Sequence, residues 1–99
     1  MKYTLQKTET FSQWLDKLKD PVVRNKVLTR LDRASNGNFG DYKVLTPNVS
    51  ELRFTFGAGL RVYYTVKKNH VILLLAGGNK STQQRDIEKA IALFNVLES

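Results

Sequence analysis

Three cations of this chain stand where phosphate chemistry is possible. Arg53 and Arg61 lie on neighbouring stretches of alternating residues, Leu52-Arg53-Phe54 and Leu60-Arg61-Val62. Lys80 follows the pair Gly77-Gly78 and precedes a helical pattern. Arginine forks match phosphate oxygens in shape and charge. The free N–H groups at a helix start favour a bound anion. An ammonium crowded by other cations releases its proton more readily, which suits a general base. Lys43, pointing opposite to Tyr42 and Val44, is a fourth candidate. Tyr63 alternates in step with Arg61 and offers a ring on which a base could stack, and Lys67 continues the same face. Each has a plainer alternative: Glu51 neutralises the arginines on a solvated face, Tyr63 packs across the strands on Arg53, and Lys80 is an ordinary exposed lysine. Gly77-Gly78-Asn79-Lys80 lacks the spacing of a phosphate-binding GxxxxGK[ST] loop.

Composition removes most other chemistry. The chain has no cysteine and one histidine, His70. A disulfide scaffold, a thiolate zinc site, a Cys nucleophile and a paired-His metal site are excluded. The acids are scattered without metal-ligand or glycosidase spacing, so no metal and no cofactor is expected. His70 falls in a turn and reads as structural or solvent-facing. Residues 21–80 hold ten bases against three acids, and the net charge of the whole chain is +7. The excess therefore sits mid-chain and invites an anionic partner, nucleic acid first. The apolar run Val71 to Ala76 is far shorter than the ~20 residues of a membrane span. MKYTLQKTET lacks the apolar core of a secretory signal, so a cytoplasmic location is expected. Ninety-nine residues predict one domain, 1–99.

The elements that must position these groups follow from periodicity. Lys2 to Gln6 reads as a short strand. Thr10 is the expected N-cap of a first helix, in a capping box with Gln13, and Phe11, Trp14, Leu15 and Leu18 form its apolar stripe. Asp20-Pro21 starts a second helix lined by Val23, Val27, Leu31 and Ala34, and Gly37 ends it. From Gly40 the period becomes two, which predicts four strands in an antiparallel meander with one face covered by helices. A three-residue loop, Gly57-Ala58-Gly59, would set Phe56 against Leu60 and Arg53 against Tyr63. Arg53 and Arg61 would then be diagonal neighbours, roughly 7–8 Å apart. Gly77-Gly78 is expected to break the last strand. Ser81 and Gln84 would cap a final helix lined by Ile87, Ala90, Ile91, Phe94 and Leu97. The order is βααββββα, an α+β fold.

Taken in order, the motifs Phe11-x-x-Trp14-Leu15, Arg30-Leu31-x-Arg33, Gly37-Asn38-x-Gly40-Asp41-x-Lys43, Glu51-Leu52-Arg53, Gly57-x-Gly59-Leu60-Arg61-Val62-Tyr63-Tyr64 and Gly77-Gly78-x-Lys80-Ser81-Thr82-Gln83 carry a resemblance. The chain resembles the RelE/ParE toxin superfamily, and within it the HigB-like addiction module killer proteins related to phage Gp49-like proteins. Leu60, where an aromatic is usual, and Asn79, where an acid is usual, depart from that pattern. The resemblance implies a helical hairpin and a C-terminal helix on a mainly antiparallel sheet. It implies a type II toxin that cuts messenger RNA on the ribosome, through 2′-hydroxyl attack on the scissile phosphate. Arg53, Arg61 and Lys80 match the family's basic positions, with Lys43 and Gln83 beside them. Tyr63, Gln83 and Lys67 are the expected RNA contacts. A cognate antitoxin of helix-turn-helix type is the implied partner, and the free toxin is expected to be a monomer. The alternative from another class is a ParE-like toxin that inhibits DNA gyrase by protein contact, since one fold serves both.

Overall fold

The computed structural model describes residues 2–98. Met1 and Ser99, counted in the expected domain 1–99, lie outside the described residues. The elements are β1 (Thr4–Lys7), α1 (Glu9–Asp16), α2 (Pro21–Ser35), β2 (Tyr42–Val44), β3 (Ser50–Arg53), β4 (Arg61–Lys67), β5 (Val71–Gly78), a 3₁₀ turn (Lys80–Thr82) and α3 (Gln83–Leu97). The sheet order is β1-β5-β4-β3-β2. Strands β2 to β5 form the expected antiparallel meander, and β1 adds parallel to β5.

Both faces of the sheet are covered, which the alternating pattern did not show. On one face, Phe11 and Leu15 of α1 and Val27, Leu31 and Ala34 of α2 pack on Leu52, Val62, Tyr64, Ile72 and Leu74. On the other, Ala90, Ile87 and Phe94 of α3 pack on Tyr63, Leu73, Leu75 and Ala76. A bulge between Tyr63 and Tyr64 lets Leu75 and Ala76 both serve the α3 side. The face expected to be solvated therefore carries a second core.

Local signals succeed where one residue type satisfies the backbone. Asp20 caps α2 by accepting from Val22 N at 2.9 Å, with Pro21 in the first turn. Gly37 takes the left-handed conformation after α2, with φ 95°. For α1 the cap is Thr8, two residues before the expected Thr10. Its Oγ1 accepts from Phe11 N at 3.0 Å and donates to Leu75 O at 2.7 Å, so a tertiary bond to β5 chose between two threonines. At the other end Asn79, not Ser81, makes the capping box, with Thr82.

The glycine pair does not break β5. Gly77 and Gly78 are its last two residues and lie opposite Val62 and Arg61. A Cβ on Gly77 would enter the ring of Trp14, and one on Gly78 would collide with the Asp86 carboxylate. The glycines admit α1 on one face and α3 on the other at close range. Gly77→Ala and Gly78→Ala are each expected to lower stability by about 1–3 kcal/mol through overpacking. Urea denaturation followed by circular dichroism checks this, and an unchanged midpoint in both variants would remove glycine's role.

Candidate active site

Arg53 and Arg61 are not diagonal but directly opposed. The β3–β4 connection spans seven residues, the five between Phe54 and Leu60 being closed off by Phe54 N donating to Leu60 O at 3.0 Å, and the register pairs Arg53 with Arg61. Gly57, Ala58 and Gly59 all have positive φ, a conformation that two of the three, being glycines, adopt without strain. Glu51, also on β3, lies on the same face and is fully buried. Its Oε1 accepts from Arg53 Nε at 3.1 Å and lies 3.9 Å from Arg61 Nε. Its Oε2 accepts from Gln83 Nε2 of α3 at 2.8 Å. One buried carboxylate therefore gathers both guanidiniums and ties α3 to the sheet.

The two arginines differ in availability. Arg53 keeps 37% of its side chain exposed and Arg61 only 12%. Arg61 Nη1 donates to Gly59 O at 3.0 Å and Leu60 O at 3.1 Å, so that edge holds the loop. Lys80 is exposed beside them: its backbone N donates to Ala58 O at 3.3 Å, and a Cβ on Gly59 would lie 3.1 Å from Lys80 Cβ and 3.6 Å from Arg61 Nη1. Behind Lys80, Asn79 Oδ1 accepts from Ser81 N at 2.9 Å, and Thr82 Oγ1 donates to the buried Asp86. Lys43 is the register partner of Glu51 on β2 and is exposed on the same face.

Arg53, Arg61, Lys80 and Gln83 are thus brought together, with Lys43 one strand away from Glu51. Tyr63 and Lys67 are not part of the exposed group. Tyr63 has no exposed surface, because α3 covers the face it was expected to present, and it cannot stack on a base. Lys67 lies at the opposite end of the β4–β5 hairpin, against Val71, with Nζ 3.7 Å from Glu98 Oε2. Gln83 commits its amide to Glu51 rather than facing outward. His70 is exposed in the β4–β5 turn, with Nδ1 2.8 Å from Lys68 O.

Glu51 was expected to neutralise the arginines, but on a solvated face, and the role of Arg30 was missed. Glu51 alternates with Arg53 in the sequence, but nothing there showed that α3 would bury it. Arg30 of α2 donates from Nη1 to Arg53 O at 2.9 Å and from Nη2 to Phe39 O and Asp41 O, each at 3.1 Å. It thereby fixes the backbone under Arg53, with its guanidinium 4.7 Å from the Phe54 ring centroid. Burial lowers the pKa of Arg30, and Asp41 partly offsets this.

Two phenols are perturbed. Burial, then the Glu51 carboxylate, pushes the Tyr63 phenol well above its ordinary value. Burial pushes the Tyr64 phenol up to about 12. The unfolded chain loses these protons near pH 10 while the folded chain keeps them, so it then binds fewer protons. Stability is intact below that pH and falls as pH rises through the folded values. The expected slope is about 1.4 kcal/mol per pH unit for each phenol. Tyr63 Oη makes no hydrogen bond of ordinary geometry among the described residues, although the Glu51 carboxylate is near enough to raise its pKa. Tyr63→Phe should leave neutral-pH stability equal or higher and lessen the alkaline slope, as urea titrations from pH 8 to 11 would show. Glu51→Ala should instead cost about 3 kcal/mol or more, because it strands Arg61 and Gln83. Glu51→Gln should cost less, and equal losses would mean the carboxylate's charge is irrelevant.

Comparison with known proteins agrees with this architecture. The family described as phage-derived protein Gp49-like matches residues 13–95. An uncharacterized protein of Haemophilus influenzae is 41% identical over 97 residues, covering 98% of each chain. The free E. coli toxin RelE, solved as a double-arginine mutant, superposes with a TM-score of 0.68 at 16% identity, over 90% of this chain and 98% of that one. The toxin–antitoxin complex RelBE2 of Mycobacterium tuberculosis gives 0.65 at 21% identity, over 81% of this chain and 100% of the matched one. The intact E. coli RelBE complex gives 0.64 at 20% identity, over 78% and 95%. With its sequence matched from within α1 to within α3, and its sheet and helices laid out as in RelE, the chain belongs to the phage-derived Gp49-like family and has the fold of the RelE toxins.

Proposed function

We propose that this chain is the toxin of a toxin–antitoxin pair and that it cuts messenger RNA on the ribosome. The observation that carries this reading is the opposed pair Arg53 and Arg61, with exposed Lys80 brought beside them by the β5–α3 junction. Glu51 contacts the two arginines and the buried Asp86 lies against Gly78, the register partner of Arg61, so two carboxylates stand against three cations and the cluster is left positive. A surface that bound only protein would not need three cations converging on one spot.

In the proposed reaction the RNA supplies its own nucleophile. The 2′-hydroxyl attacks the adjacent phosphorus, its proton passes to a base, and the 5′-oxygen leaves with a proton from an acid. The products are a cyclic 2′,3′-phosphate and a free 5′-hydroxyl. Arg53, the more exposed arginine, takes the non-bridging oxygens, where charge grows in the transition state. Arg61 fixes the loop and adds positive potential from below. Lys80 and Lys43 are the candidates for the two proton transfers. Glu51 and Gln83 hold the guanidiniums in place. Orientation by the ribosome supplies the proximity that so small a site lacks. A cognate antitoxin of helix-turn-helix type would neutralise the toxin in the cytoplasm. The structural relatives that are toxin–antitoxin complexes support an antitoxin partner. No helix among the described residues is long and apolar enough to cross a membrane.

Translation of a defined message in vitro with purified protein, followed by primer extension, tests the reading. In-frame cuts are expected, and Lys80→Ala and Arg53→Ala should each slow them about 10²–10³-fold. An intact message would overturn the reading and direct the next assay to gyrase supercoiling.

A further inference from the structure

A second recess lies outside the cluster, between α2 and the β3–β4 loop, with a volume of about 500 Å³. Lys26, Thr29 and Arg33 line its helical wall, and Phe54 and Phe56 line the other side. Four of its lining residues are cations, Lys26, Arg30, Arg33 and Arg53, against one acid, Asp41. Arg30 directs its donors to three carbonyl oxygens. Lys26 and Arg33 are exposed, and among the described residues neither makes an ion pair with a carboxylate. Lys26 Nζ stands 5.0 Å from the centroid of the Phe56 ring, which is half-buried. Uncompensated cations beside an aromatic ring are the recognition chemistry of a nucleotide: charge for the phosphate, a ring for the base. Arg53 lines this recess and also belongs to the cluster, and Arg30 fixes its carbonyl at 2.9 Å. A strand whose phosphate sits on Arg53 runs naturally into the cleft.

We propose that this cleft is a nucleotide subsite for single-stranded RNA, taking a nucleotide adjacent to the scissile phosphate. The base stacks on Phe56, displacing the Lys26 ammonium from the ring toward the phosphate, and Arg33 meets the next phosphate. The inference rests on the RNA-cleaving reading above, since it places the same strand. An acidic peptide is the competing occupant. It would use the cations but gain little from the Phe56 ring face.

The test uses a 2′-O-methyl RNA hexamer, which cannot be cut. In an ¹⁵N NMR titration of the full chain, amides of Lys26, Thr29 and Phe56 should shift together with that of Arg53. By fluorescence anisotropy, Phe56→Leu should weaken binding about tenfold. Lys26→Ala with Arg33→Ala should reduce the slope of log affinity against log salt by about 1.4, at ~0.7 for each phosphate of a single strand that is no longer neutralised. Circular dichroism separates a folding defect from a binding defect in Phe56→Leu, and the exposed Lys26 and Arg33 give an arm free of that concern. Wild-type hexamer affinity in all of these variants, shifts confined to the Arg53 and Lys80 region, or no binding at low salt would overturn the subsite. Unchanged hexamer binding with loss of acidic-peptide binding would assign the cleft to a protein. If the wild-type chain leaves messages intact, the cleavage reading fails, while the hexamer map still decides whether the cleft takes RNA.

Discussion

A carboxylate without solvent access, placed between two guanidiniums, is the constraint around which this structure is arranged. Register puts Arg53 and Arg61 face to face across β3 and β4, an arrangement that like charges resist. Glu51 relieves the repulsion from below, and Gln83 satisfies its second oxygen. Burying an ion is costly, and a buried pair often adds little net stability over apolar packing. What Glu51 supplies is placement. Losing it would leave Arg61 near-buried beside another cation and would cut a polar tie between α3 and the sheet. The two guanidiniums at the exposed side of the cluster are thus held in place by the Glu51 carboxylate beneath them.

The β5–α3 junction supplies the other half of the arrangement. Gly77 and Gly78 let Trp14 and Asp86 approach β5 from opposite faces. Asp86 holds Thr82, and Thr82 with Asn79 closes the 3₁₀ turn. That turn sets Lys80 against Gly59 and the loop that Arg61 braces. Few of these contacts touch the proposed substrate, yet each determines where the Lys80 ammonium can reach. Arg30 does the same for Arg53 from the α2 side, through the backbone rather than through charge. The two helical layers therefore converge on one cationic cluster.

Much of the fold was legible because its causes are local. Alternation predicted β2 to β5, the 3.6-residue stripes predicted the helices, and Asp20-Pro21 and Gly37 marked the limits of α2. The misreadings share one physical origin. Thr8 displaced Thr10 as a cap because it bonds to β5, and the glycines stayed in the strand because partners from distant helices fill their space. The three-residue loop failed because positive φ at Gly57, Ala58 and Gly59 does not by itself limit a connection to those residues. That shifted the register by two and turned a diagonal arginine pair into an opposed one. Shifting by two preserves the face, so the arginines stayed on the correct side of the sheet.

Residue types and periodicity by themselves determined the α+β order, the basic middle of the chain, the absence of thiol chemistry, and the sidedness of Arg53, Arg61 and Glu51. Tertiary structure alone decided which polar residues meet solvent. Alternation reports that two sets of side chains face opposite ways, but not what lies over each set. Only the docking of α3 removed Tyr63 from the surface and made Glu51 a buried anchor. Lys67 lies at the far end of the hairpin because it closes the strand that Arg61 opens. Burial and register depend on contacts between residues far apart in the chain, and those contacts exist only once the chain has folded.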